Sequence, residues 1–144
     1  MSDRFALVAA VHLLLFDDDG RVLLLRRANT GYEDGRLSVP AGHLDGGETV
    51  RAAAVREAAE EIGVSIDLDA LTVALAMHRR SDDERVDFFV TCREWSGTPC
   101  NAEPHKCAEL VWASPHALPG DMVPYVRDGI AHVVAGRTYA EHGW

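Results

Sequence analysis

Residues 42–64 read Gly-His-Leu-Asp-Gly-Gly-Glu-Thr-Val-Arg-Ala-Ala-Ala-Val-Arg-Glu-Ala-Ala-Glu-Glu-Ile-Gly-Val. Alanine, the strongest helix former, dominates the middle of this stretch. Thr49 can cap the start with its hydroxyl, and Gly63 stands where a left-handed C-terminal residue is wanted. A helix over 50–62 is therefore predicted. At 100° per residue, Val55, Ala58, Ala59 and Ile62 fall on one apolar stripe. Glu57, Glu60 and Glu61 sit at i, i+3 and i+4 and are expected on the opposite side. Like charges at that spacing repel. A solvated surface face is the bland reading of three glutamates. A divalent cation is the simplest partner that turns the repulsion into a use, because hard cations such as Mg²⁺ prefer carboxylate oxygens.

The spacing runs Gly42, five residues, Glu48, seven residues, Arg56-Glu57, two residues, Glu60-Glu61, one residue, Gly63. Seven fixed positions, each met by chance about 7% of the time, coincide on the order of 10⁻⁸ times per start point. The pattern resembles the signature of the Nudix hydrolases. Leu25-Arg26-Arg27 and Val39-Pro40-Ala41-Gly42 extend the likeness upstream. Two positions depart from it: Ala58 replaces a bulky aliphatic residue, and Ala41 replaces a glycine. The first predicts a shallower core contact, the second a tighter loop, and neither removes a chemical group.

The resemblance implies an α+β Nudix fold, an α/β/α sandwich with a mixed central β-sheet. It also implies Mg²⁺-dependent cleavage of a phosphoanhydride in a nucleoside diphosphate linked to another group, with Mn²⁺ as a substitute ion. Glu57, Glu60 and Glu61 become metal ligands or hold metal-bound waters, and the Gly42 carbonyl joins them. Arg56 is expected to orient a motif glutamate, and Glu48 to brace the loop against the helix. For the general base, Glu57 is one candidate and Glu103, in the loop before a Trp-bearing strand, is another. Glu109 is the rival to Glu103.

Arg27 ends an apolar run, and its fixed fork suits phosphate; a matching arginine contacts substrate in relatives. Arg26 alternates with it and is expected to face away. Tyr32, in a polar loop, is the aromatic residue expected near substrate; Phe88 or Phe89 is expected in the core. His43 follows the motif glycine and is assigned to phosphate or to solvent. Arg79-Arg80 stands where some relatives carry a specificity proline. With so compact a chain, nucleoside triphosphates or modified nucleotides fit best. The alternatives are a nucleotide sugar or other diphosphate-linked substrate, or a non-catalytic nucleotide-binding domain.

The chain has 144 residues, enough for one domain over 1–144 with a real core. Its net charge of −9 argues against a nucleic-acid backbone as partner. Cys92, Cys100 and Cys107 read as free thiols in a reducing, cytoplasmic setting. Cys100, His105 and Cys107 lack a fourth ligand for zinc. The apolar run 5–16 leads into Asp17-Asp18-Asp19 and is too short to span a membrane, so it reads as a strand. The family often dimerises, which makes a homodimer an expectation. Runs 5–16 and 21–27 flank Asp18-Asp19-Gly20, a hairpin signal. Further strands are expected at 37–40, 71–78, 86–95 and 110–113, with a final amphipathic helix over 123–135.

Overall fold

A computed structural model describes residues 3–144. In chain order the elements are β1 (Val8–Leu15), β2 (Val22–Arg27), β3 (Leu37–Ser38), β4 (Ala41–His43), α1 (Val50–Ile62), β5 (Leu71–Arg80), β6 (Glu84–Cys92), β7 (Cys107–Ala113), α2 (Pro124–Val134) and β8 (Tyr139–His142). The five-stranded sheet runs β4-β1-β6-β5-β8, and a three-stranded sheet runs β3-β2-β7. The larger sheet is mixed: β1 lies parallel to β6 and β5 to β8, while β4 and the β5–β6 pair are antiparallel.

Strand β1 shows how the sheet acquires two cores. Its side chains alternate across the pleat. Val11, Leu13 and Leu15 join Ala53, Ala54, Ala58 and Ile62 of α1. Leu14 and the following Phe16 join Val126 and Ile130 of α2 on the other face. The sheet is thus sandwiched between helices, as expected. On the α2 side, Gly129 lets the Phe89 ring press onto the helix, since a Cβ there would overlap the ring.

The expected hairpin is only partly formed. Asp17 and Arg21 close the turn by a backbone hydrogen bond of 2.9 Å, and Phe16 and Val22 form one antiparallel bridge. The strands then diverge into different sheets, because β1 finds a longer parallel partner in β6. Periodicity shows which residues are strand, not which strand they meet.

Helix α1 keeps its predicted ends: the Thr49 side chain accepts from the Ala52 N–H, and Gly63 adopts φ 67°. Its buried face is Ala53, Ala54, Glu57, Ala58 and Ile62. Val55 is half-buried and Ala59 exposed. The inward face is therefore turned by about one residue step, roughly 100°, from the predicted stripe. The carboxylates are not one uniform face either. Glu57 is buried, Glu61 half-buried and Glu60 exposed.

Candidate active site

Strand β4 brings the loop before α1 against the helix. Its backbone pairs with β1, with Gly42 opposite Val11. Glu57 occupies the space where a Gly42 side chain would stand. One turn on, Glu61 accepts a hydrogen bond of 3.0 Å from the Ala41 N–H. Arg56 ties the assembly together. Its Nη1 donates to Glu57 at 2.7 Å, its Nε and Nη2 to Glu48 at 3.1 and 2.7 Å, and its Nη2 to the His43 carbonyl at 3.2 Å. Bound to Arg56 and to the Asp45 N–H, Glu48 has its carboxyl held below the usual range.

Glu57, Glu60, Glu61 and Glu103 line one cleft of about 300 Å³ with Leu25, Arg27 and Lys106. Glu103 comes from the loop before β7, so the chain brings a distant acid to the helix carboxylates. Glu109 instead pairs with Arg26 at 2.8 Å, and Arg26 also pairs with Asp121 at 2.8 Å. Arg26 thus turns away from the cleft and Arg27 lines it. Burial pushes the Glu61 carboxyl well above the usual carboxylate range. A hydrogen bond and the charge of neighbouring Glu57 add to this, against the Ala41 N–H. The charge expected to repel along the helix is thus concentrated at one pair.

Among the described residues, no three His, Cys, Asp or Glu side chains already converge in a metal-holding arrangement. The donor set nonetheless suits a hard divalent cation in kind: four carboxylates facing one cleft, one of them driven to hold a proton by burial and then by Glu57.

A second cleft of about 600 Å³ adjoins the first; Arg27 and Ala41 line both. Tyr32, Gly42, His43, Arg79, Arg85 and Tyr125 are among its walls. Tyr32 is 49% exposed, and the Arg27 guanidinium lies 5.3 Å from its ring centre. Arg27 also donates to the Tyr32 carbonyl at 2.7 Å and the Thr30 hydroxyl at 2.9 Å. His43 meets Arg85 at 3.2 Å. His43 and Tyr32 thus line the second cleft and not the acidic one.

The floor of this second cleft was not anticipated from the sequence. His12 and Arg79 line it and are buried, and Asp87 is buried against Arg79 outside the lining. Arg79 engages Asp87 through Nε and Nη2, and its guanidinium carbon lies 3.6 Å from the centre of the Tyr125 ring. His12 Nε2 shares a hydrogen bond of 2.9 Å with the Tyr125 hydroxyl. The available signal was a charged or polar residue at an inward strand position. Arg79 follows Leu75 and Met77 on the buried parity of β5, and His12 interrupts an apolar run.

Burial lowers the His12 pKa to about 4, against the opposing pull of Asp87. The imidazole is neutral in the fold at ordinary pH. In the unfolded chain it titrates near its reference value of about 6.5, so between the two values the unfolded state binds more protons. Stability is therefore full above pH 6.5 and is lost as pH falls toward 4. The shift corresponds to about 3 kcal/mol. Urea unfolding from pH 7 to pH 4 should show this loss in the wild type and a flatter profile in His12→Leu. Parallel profiles would contradict the assignment.

The NUDIX domain family matches residues 6–133, and the chain belongs to the Nudix hydrolase family. A Bacillus subtilis (strain 168) protein, provisionally named as an 8-oxo-dGTP diphosphatase, is 31% identical over 112 residues. The match covers 78% of this chain and 70% of that one. An isopentenyl-diphosphate Delta-isomerase of Leifsonia xyli is 34% identical over 116 residues. That match covers 72% of this chain but 60% of the relative's length. The MutT NUDIX hydrolase from Burkholderia pseudomallei superposes with a TM-score of 0.79 at 24% identity. It covers 88% of this chain and 98% of that one, a likeness of fold.

Proposed function

We propose that this chain hydrolyses a phosphoanhydride in a nucleoside diphosphate linked to another group, acting as a pyrophosphohydrolase on nucleoside triphosphates, oxidised ones among them. The observation that carries this reading is the meeting of Glu57, Glu60, Glu61 and Glu103 with Arg27 in one cleft. The name of the Bacillus subtilis relative supports the substrate class.

In this reading Arg27 donates to phosphate oxygens through Nη1, its Nε and Nη2 being held by the Tyr32 carbonyl and the Thr30 hydroxyl. Mg²⁺, or Mn²⁺ in its place, would be held by Glu57, Glu60, Glu61 and the Gly42 carbonyl. When bound, the ion neutralises phosphate charge and lowers the pKa of water. Arg56 acts behind Glu57, fixing one carboxylate oxygen of a side chain that lines the cleft. Glu48 holds Arg56 in turn, and the Ala41 N–H fixes Glu61. Glu103 takes the proton from the attacking water, with Glu57 as the other candidate. Glu103→Gln is expected to lower kcat by roughly a hundredfold, the usual scale for a general base, with KM little changed. An unchanged kcat in steady-state assays assigns the proton to Glu57.

No described helix is long and apolar enough to cross a membrane. The three free thiols support a cytoplasmic location. A single domain and a homodimer complete the reading, and analytical ultracentrifugation tests the latter. The test of function is Mg²⁺-dependent hydrolysis over a panel of canonical and oxidised nucleoside triphosphates, nucleotide sugars and isopentenyl diphosphate. Fastest cleavage of a triphosphate supports the reading. Turnover of isopentenyl diphosphate without hydrolysis of any nucleotide overturns it.

A further inference from the structure

The second cleft is built around an arginine with an unusual setting. Asp87 is fully buried and takes Nε and Nη2 of Arg79. Nη1 has no hydrogen-bond partner among the described residues, yet Arg79 lines the cleft. The Tyr125 ring covers the guanidinium face, and neutral His12 pins that ring by its hydroxyl. The other two arginines of the cleft are committed elsewhere: Arg85 to Asp83 at 2.7 Å, and Arg27 to the Tyr32 loop and the acidic cleft.

The charge of Arg79 is matched by Asp87, so this end of the cleft has little net pull on a phosphate. What it offers is the two N–H bonds of Nη1, on a guanidinium held in place by Asp87 and Tyr125. A planar neutral group with an exposed acceptor satisfies them best. Tyr32, exposed on the wall, provides an aromatic face for a flat ring. We propose that Arg79 is the specificity-determining residue of this cleft, donating through Nη1 to a ring carbonyl of the substrate's nucleobase. Asp87, Tyr125 and His12 are positioning residues that aim it. The site thus favours a carbonyl-bearing base, such as guanine or its oxidised form, over adenine, whose amino group offers donors at that edge. This inference rests on the proposed reaction, which supplies the nucleotide.

The experiment separates the two. Binding of GMP and AMP is measured by titration calorimetry in EDTA, where no hydrolysis contributes. The wild type is expected to prefer GMP by tenfold or more, the scale of one hydrogen bond to a charged donor. Arg79→Met with Asp87→Leu removes the buried pair together, which spares the fold an unmatched charge. It is expected to bind both nucleotides equally. Arg79→Lys keeps a cation against Asp87 should the double variant fail to fold, and is also expected to lose the preference. With Mg²⁺ present, the variants should raise KM for the guanine triphosphate and leave kcat near wild type. Equal or absent binding of GMP and AMP by the wild type, or a preference retained in the variants, overturns the proposal. Preference without hydrolysis overturns the reaction and leaves the base-reading role standing.

Discussion

Glu61→Gln is expected to lower turnover by about three orders of magnitude while making the metal-free protein more stable. The two effects have one cause. Glu61 is half-buried beside Glu57, and that neighbour helps push its carboxyl well above the usual carboxylate range. A raised carboxyl is stabilised in its protonated form, so its ionisation costs the fold more as pH rises. Glutamine is neutral and nearly the same shape. Its oxygen can accept the Ala41 N–H and its amide can donate to Glu57, so the local contacts survive. At neutral pH the melting temperature in EDTA should rise by roughly 3 °C, equivalent to about 1 kcal/mol for a domain of this size. Activity is expected to fall because, in the proposed function, Glu61 would be a cation ligand, and losing its charge removes several kcal/mol of transition-state stabilisation. Near-normal turnover would remove Glu61 from the site, and a lower melting temperature would contradict its described setting.

Gly42→Ala should be nearly as damaging, by a steric route. A Cβ at Gly42 would overlap the Glu57 carboxylate. That carboxylate cannot simply swing aside, since it is buried and Arg56 Nη1 holds it at 2.7 Å. In the proposed function Glu57 faces the reacting atoms; displacing such a group by about 1 Å costs on the order of a hundredfold in rate, and kcat should fall by at least that factor. Gly46→Ala is the control. It meets nothing within 4 Å, although its φ of +80° strains any side chain there. Gly46→Ala should lose some stability and keep most of its rate. Equal kcat values for the two variants would show that the requirement for glycine at 42 is not this overlap.

Much of this arrangement was legible in the sequence because it is local. Helix α1, its Thr49 cap, its Gly63 end and the i, i+3, i+4 carboxylates follow from rules that operate within a turn or two. Arg26 and Arg27 were separated by strand alternation alone, and they do face different partners. The buried face of α1 was misplaced because five alanines blur an apolar stripe. Which small side chains go inward is then decided by the sheet and by Glu57 entering the β4 contact. The parallel pairing of β1 with β6 was not legible, because a strand's period says nothing of a partner 77 positions away. Strand β8 was missed for the same reason; its burial depends on β5. The His12, Arg79, Asp87 and Tyr125 group joins four separate elements, and only the folded chain brings it together.

The most direct test of the central claim is ³¹P NMR of 8-oxo-dGTP incubated with the protein and Mg²⁺, with Glu61→Gln alongside. The account predicts a nucleoside monophosphate and pyrophosphate from the wild type, and unchanged triphosphate from the variant over the same interval. Orthophosphate with a nucleoside diphosphate, or equal turnover by both proteins, would contradict it.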